Sequence, residues 1–464
     1  MYNIAYIFAF SLILFFATKL SAETAEAVAF GPLHNALGLP LGLNLGGTHR
    51  VRYETLDSQF RAGRNGGDQI LVLRTTLKAT LYRGDTAITG EMIDARAAFD
   101  DVGTPLSTGV VNTAELLQGF LRWKNVGFLG LGGKSTVTIG RFTMDIGSRR
   151  FVARNRFRNS ANAYTGIDWQ WWGRGKRRVR IFFTLPVNRK PNLFGALRDN
   201  EIEFDDEDSG IKFWGLYYAD TFNWGDNGEF FYFGIDENDS TDRQSLDRTL
   251  STVGFRIYRK PRLSALDYQF ESVFQFGESR SSTSSVDVTD LEHFAIFQHV
   301  ALGYTFALPW HPRLVAQYDY AGGDGRANDR ENGRFDTLFG ARRFDFGPTG
   351  IYGPFARSNI NTPGFRLVLK PGPSVSSFIV YRAFWLASKF DSWTASGLRD
   401  VSGRSGSFIG QQVELRVRWE VVPNRIRLEG GAAHLFAGEF MRDAPNSNCQ
   451  GSATYLYSQI GFTF

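Results

Sequence analysis

The chain has 464 residues, of which 43% are apolar and 21% charged, and this excludes a disordered segment. After residue 22 no apolar run approaches the roughly 18–20 residues of a membrane helix, and a single Cys excludes a disulfide framework or a Cys-based metal site. Aromatics reach 15% and Gly numbers 50, so the chain has the composition of a transmembrane β-barrel, in which only half of the strand residues face lipid. The net charge is +5, and of the 52 basic residues 42 are Arg, the side chain suited to bidentate contact with carboxylate or phosphate. Composition alone leaves open whether these arginines meet an anionic cargo or simply suit a polar lumen and a membrane rim.

Residues 1–22 read as a secretory leader. The apolar stretch Ala5 to Ala17 is too short to span a bilayer, and Leu20-Ser21-Ala22 offers a cleavage site, although Met1-Tyr2-Asn3 carries no basic side chain. No Cys follows to carry a lipid. The expected mature domain is a single barrel over 23–464.

From there the chain alternates with period two. Val179, Ile181, Phe183 and Leu185 share one face, and Arg178, Arg180, Phe182 and Thr184 the other. In Val413–Val421 one face is wholly apolar and the other wholly charged. Eighteen such segments are expected, near 42–55, 69–82, 87–99, 113–125, 135–145, 166–172, 177–185, 209–219, 229–237, 246–258, 266–278, 292–306, 313–321, 364–370, 375–386, 406–421, 425–436 and 453–464. Connections after even segments are short, as in Arg83-Gly84-Asp85-Thr86 and Pro423-Asn424. Those after odd segments are mostly long, as in 146–165, 186–208 and 322–363. This segregation predicts an all-β, antiparallel up-and-down transmembrane barrel with short periplasmic turns and long external loops. The last segment puts Leu456, Ser458, Ile460, Phe462 and the terminal Phe464 on one face, a pattern typical of outer-membrane proteins.

Several stretches resemble the alginate export family of Gram-negative outer-membrane barrels: Arg50-Val51-Arg52-Tyr53-Glu54; Glu91-Met92-Ile93-Asp94-Ala95-Arg96; Gly140 to Arg150; Asn155-Arg156-Phe157-Arg158-Asn159 with Gly166-Ile167-Asp168-Trp169; Phe335 to Gly340 through Gly347-Pro348-Thr349-Gly350-Ile351-Tyr352-Gly353-Pro354 to Arg357-Ser358-Asn359; and Arg399-Asp400-Val401-Ser402-Gly403 with the Arg416/Arg418 strand. The resemblance implies an eighteen-stranded barrel whose narrow electropositive pore passes an anionic polysaccharide. By the same resemblance the selectivity role falls on Arg52, Arg74, Arg96, Arg141, Arg357, Arg366, Arg416 and Arg418, with Asp94 and Asp168 as counter-charges. It also implies contact with outer-membrane lipid and lipopolysaccharide, and with periplasmic polysaccharide-export proteins. The chain departs from the exporter's pattern in having no long periplasmic turn.

The alternation itself puts Arg50, Arg52, Arg74, Lys78, Asp94, Arg96, Arg178, Arg180, Arg256, Asp319, Arg366, Arg382, Glu414, Arg416, Arg418 and Glu420 on the lumenal face, a cationic surplus that suits an anion filter. Arg141 falls on the apolar side of its segment, which places it at the rim or breaks the register. Tyr53, Trp169, Phe182 and Tyr258 could offer apolar surface to sugar rings, or serve as girdle and lipid contacts. Other patterns carry little. Gly173-Arg174-Gly175-Lys176 lacks phosphate-loop spacing, and an exported barrel meets no nucleic acid. His293 and His299 stand too far apart to share a metal, and no cofactor is expected. Gly403-Arg404-Ser405-Gly406-Ser407 fails as a nucleophile elbow. Acidic stretches 201–208 and 236–242 read as solvated loops rather than calcium sites. The sequence therefore points to a channel for an anionic polysaccharide, with a small-anion porin as the alternative and an outer-membrane enzyme behind it.

Overall fold

The computed structural model describes residues 32–101, 103–124, 132–240, 243–326, 329–449 and 451–464, so the expected leader, 1–22, lies outside the described residues. Eighteen wall strands run through them: β1 (Leu43–Asp57), β2 (Asp68–Arg83), β3 (Thr86–Ala98), β4 (Asn112–Lys124), β5 (Lys134–Phe142), β6 (Tyr164–Trp172), β7 (Arg178–Asn188), β8 (Ile211–Thr221), β9 (Asn227–Glu237), β10 (Thr249–Arg259), β11 (Ala265–Ser279), β12 (Leu291–Thr305), β13 (Arg313–Ala321), β14 (Ile360–Gly372), β15 (Val375–Trp385), β16 (Phe408–Val422), β17 (Ile426–Ala437) and β18 (Ala453–Thr463). Each coincides with one of the expected segments. Two-residue pairings at Asp206–Glu207 and Glu331–Asn332 decorate the external side.

Every wall strand pairs antiparallel with its neighbours in sequence, and β18 pairs back onto β1 from Thr48↔Thr463 to Asp57↔Thr454. The sheet is therefore a closed cylinder without edges, so every strand can satisfy its backbone inside hydrocarbon. Short turns gather at one end, such as the two-residue step from Arg83 to Thr86, where Gly84 takes φ +54°. The long connections gather at the other end.

The pleat sorts the side chains as the alternation requires. On β7, Arg180, Phe182 and Thr184 are buried while Ile181 and Phe183 stand 46% and 49% exposed. On β16, Val413, Leu415, Val417 and Trp419 are exposed opposite buried Glu414. Exposed apolar side chains in that pattern form the belt that meets lipid.

The sequence did not reveal what fills the cylinder. Two connections, 143–163 and 335–359, fold inward and bond to each other: the Phe339 amide donates to the Phe151 carbonyl at 2.9 Å and the Ala341 amide to the Arg149 carbonyl at 2.9 Å. Gly340 is required there, because a Cβ would sit 1.7 Å from the Arg150 carbonyl oxygen. The first connection crosses the lumen. Arg150 reaches Glu271 on β11 and His299 on β12, while Arg154 reaches Glu91 on β3 and the carbonyls of 156–158 meet Arg50 on β1. The second also crosses, from Asp336 beside Arg248, just before β10, to the Ile351 amide on Glu54 of β1. Gly350, at φ +89°, lets the chain come so close that a Cβ would meet the Glu54 carboxylate. Around this double beam Phe151 packs against Phe231, Phe297 and Phe335 at centroid distances of 5.6, 5.6 and 5.9 Å. The apolar core thus lies inside the barrel.

The orientation of the wall predicts a depth-dependent penalty. Ile181→Arg, in the lipid belt, should lower unfolding stability by about 2–4 kcal/mol, whereas Val421→Arg, beside a turn, should cost no more than about 1 kcal/mol. Urea titration of the protein in lipid vesicles measures both.

Candidate functional site

Inward-facing guanidinium groups meet three kinds of partner. The first is a carboxylate. Arg52 holds Glu54 at 2.7 Å with both side chains buried. Arg180 holds Asp168 at 2.6 Å, Arg256 holds Glu229 at 3.1 Å, and Arg418 holds Glu429 at 2.5 Å. Such pairs offset the cost of desolvating each charge and leave no net field.

The second partner is a peptide carbonyl. Arg50 and Arg74 stand directly opposite each other across β1 and β2, a like-charged pair that would repel. Arg50 donates to the carbonyls of Arg156, Phe157 and Arg158 at 3.2, 3.1 and 3.0 Å, and Arg74 to those of Arg156 and Arg158 at 3.1 Å each. Arg366 donates to the Phe344 carbonyl at 2.5 Å. The third partner is an aromatic face. Arg416 lies over Phe378 at 4.4 Å and Arg366 over the same ring at 5.3 Å. Carbonyls and rings fix a guanidinium without cancelling its charge. Arg50, Arg74, Arg366 and Arg416 therefore keep their fields, and among the described residues none of them makes an ion pair.

The beam is latched to the wall by a buried charge chain. Arg150 binds Glu271 at 2.5 Å and Asp345 at 2.9 Å; His299 Nδ1 and Asp319 are 2.7 Å apart; Arg382 binds Asp319 at 2.5 Å; and Arg357 pairs with Asp345. Beside the beam opens a cavity of about 270 Å³. Arg158, Arg189, Arg342 and Arg357 line it together with Asn155 and Asn162, and no carboxylate does. Burial, then the neighbouring Arg189 and Arg342, lower the Arg158 guanidinium to about 9. Burial and Arg357 lower Arg342 to about 10, and burial lowers Arg189 as well. Crowded cations in a confined polar space are a built attraction for an anion.

The expected residues divide on this geometry. Arg52, Arg74, Arg366, Arg416, Arg418 and Asp168 lie on the lumenal face, and Arg357 sits on the beam. Asp94 and Arg96 do not face the lumen. They share parity with outward Ile88 on β3, and form a half-exposed pair at 3.0 Å on the outer surface. The reason is local: the inward row there is Ile93, Ala95 and Ala97, of which Ile93 and Ala95 pack under Ala161 and Ala163 of the beam, so the wall is apolar inside and charged outside. Arg141 also faces outward, at the external rim, where it holds Glu115 at 2.7 Å and Glu207 at 2.8 Å. Of the four aromatics, Tyr53 and Trp169 share the outward parity, Phe182 is buried in the interior core, and Tyr258 is lumenal under Arg256 at 3.9 Å. Sequence reasoning missed Arg150, Arg154, Arg158, Arg189, Arg342 and Arg343, all on connections; the density of arginines in 149–158 was the available sign.

A family model described as alginate export matches residues 42–453. None of the curated proteins compared matches the chain. Among solved structures, Pseudomonas aeruginosa OpdQ is similar at 12% identity and TM-score 0.57, over 91% of this chain and 97% of that one. Acinetobacter baumannii OccAB2 is similar at 12% identity and TM-score 0.57 over 91% and 98%, and OccAB3 of the same organism at 10% and 0.57 over 91% and 99%. At such identities the likeness is one of fold.

Two outcomes follow from this arrangement. Arg158→Gln combined with Arg342→Gln should lower the anion-over-cation permeability ratio at least about twofold, while Asp94→Asn with Arg96→Gln leaves it unchanged; reversal potentials in planar bilayers measure both. Arg382→Ala, which takes the guanidinium from buried Asp319 and leaves it only His299, should destabilise the barrel by about 3 kcal/mol in urea titration.

Proposed function

We propose that this chain, which belongs to the alginate export family of outer-membrane channels, passes an anionic polysaccharide of the polyuronate class and releases it unchanged. We further propose that residues 1–22 are a leader removed on export and that 23–464 form the working barrel. The observation that carries the reading is the set of uncompensated cations: Arg50, Arg74, Arg366 and Arg416 on the wall, and Arg158, Arg189 and Arg342 around the cavity.

A polyuronate bears about one carboxylate per sugar, so it can be held at several such points at once. Each carboxylate exchanges a neutral carbonyl or ring partner's guanidinium for the next without having to break an ion pair. Many weak sites in series favour passage over trapping. The ion-paired arginines, Arg52, Arg180 and Arg418, hold the wall in shape and add little to the field. On this reading Arg74, Arg366 and Arg416 are the selectivity residues, and Asp168 is a counter-charge for Arg180. Arg357, paired with Asp345, belongs to the latch.

One observation favours a second reading, a channel for small anions: the beam crosses the lumen, and the cavity beside it measures about 270 Å³. Single-channel recording separates the two. A polyuronate added to one side should block an anion-selective current in proportion to its concentration, and a neutral glucan of equal length should not. Block by the neutral polymer alone, or cation selectivity, contradicts the polyuronate reading. Free permeation by small carboxylates without block by the polymer favours the second.

A further inference from the structure

The connection between β7 and β8 starts inside the barrel and finishes outside it. At its start Arg189 points inward, donating to the Thr108 carbonyl at 3.0 Å and to Asn162 Oδ1 at 2.8 Å. At its end the partners are on the outward row of β5 and β6. Arg141 Nε donates to Glu207 at 3.0 Å and its second terminal nitrogen to the Asp205 carbonyl at 3.3 Å, and Thr165 Oγ1 donates to Glu207. The Asp205 amide closes the clasp on Glu115 at 2.8 Å. Arg141 and Thr165 share their row with Ile139 and Ile167, both 45% exposed in the lipid belt, and Arg141 also bonds the carbonyl of belt residue Leu116. Residues 205–207 are thus fastened to the membrane side of the wall.

The segment so fastened is two-faced. Leu197, on the short helix Phe194–Arg198, is buried in the interior core. Leu193, Phe194, Ile202 and Phe204 stand 72%, 51%, 55% and 70% exposed. Phe99, at the end of β3, is 71% exposed and adjoins them, because Asn200 bonds both the amide and the carbonyl of Ala97 at 2.8 Å and Arg198 meets Asp100 at 3.4 Å. Five large apolar side chains in water would be costly at about 25 cal/mol per Å². The wall is also low here. β5 and β6 have 9 residues each, the minimum for a tilted transmembrane strand, so hydrocarbon reaches the tops of these strands where the segment is clasped.

We propose that residues 193–204, together with Phe99, form an interfacial membrane element that seats its apolar side chains among the acyl chains of the outer leaflet. The patch continues the lipid belt upward from Leu116 and Ile139, and the clasp at Arg141 holds it there. Of its charged neighbours, Arg198 meets Asp100 and Lys190 binds Glu203 and Asp206 at 3.3 and 2.9 Å, while Asp199 and Glu201 are exposed and make no ion pair among the described residues. The inference rests on the membrane barrel and is independent of what the channel carries.

Nitroxide labelling tests it, because the native chain has only Cys449 to remove. In a Cys449→Ser background, labels at Leu193→Cys and Phe204→Cys are compared with Leu116→Cys in the lipid belt and Val286→Cys, 85% exposed on the β11–β12 connection. Each heat-modifiable, folded variant is placed in phospholipid vesicles and its label is challenged with oxygen and with a water-soluble nickel chelate. The expected result is oxygen-dominated relaxation at Leu193 and Phe204, matching Leu116. Relaxation by nickel, matching Val286, overturns the proposal. Dipolar broadening between labels on two copies overturns it in favour of self-association, and a nickel-accessible Leu116 label overturns the membrane placement itself.

Discussion

A guanidinium inside a low-dielectric cylinder must be held by something, and the choice of holder determines what this barrel can do. A carboxylate holder cancels the charge. A carbonyl or phenyl holder fixes the group and leaves its field intact. Both solutions occur on neighbouring positions. Arg52 spends its charge on Glu54, while Arg50 and Arg74, facing each other across the same two strands, are satisfied by the peptide carbonyls of 156–158. The inserted connection is therefore a filler and also the device that allows two like charges to stand opposite each other.

The same constraint explains the internal core. Lipid takes the outward apolar row, so burial among protein atoms must be found within. The aromatic layer around Phe151 and the charge chain from Glu271 to Arg382 supply it. A wall that packs against this layer must itself turn apolar, as β3 does at Ile93 and Ala95. The outer face there gains the freedom to carry Asp94 and Arg96.

The strands were legible because a pleated wall between water and lipid writes its two solvents into alternate residues. Val179 to Leu185 and Val413 to Val421 are readable in this way, and loop lengths alone ordered the two ends. The beam was not legible. Segments 146–163 and 335–357 have no period, because they pack on all sides, and their arginines read like those of any solvated loop. The lumenal parity failed at Asp94 and Arg96 for a related reason: a one-sequence reading assigns charge to water, and cannot know that inserted loop residues replace water at that point of the wall. Arg141 was half legible: its parity with Ile139 put it at the rim or at a break in register, and its bonds to Glu115 and Glu207 put it at the rim.

The account stands on uncancelled positive charge held by neutral partners. The most direct measurement is the reversal potential across a salt gradient for the Arg74→Gln, Arg366→Gln, Arg416→Gln triple variant against a Glu54→Gln, Arg52→Gln pair variant. A loss of anion selectivity in the triple variant with selectivity kept in the pair variant is the predicted result. Equal selectivity in both, or a loss confined to the pair variant, would contradict it.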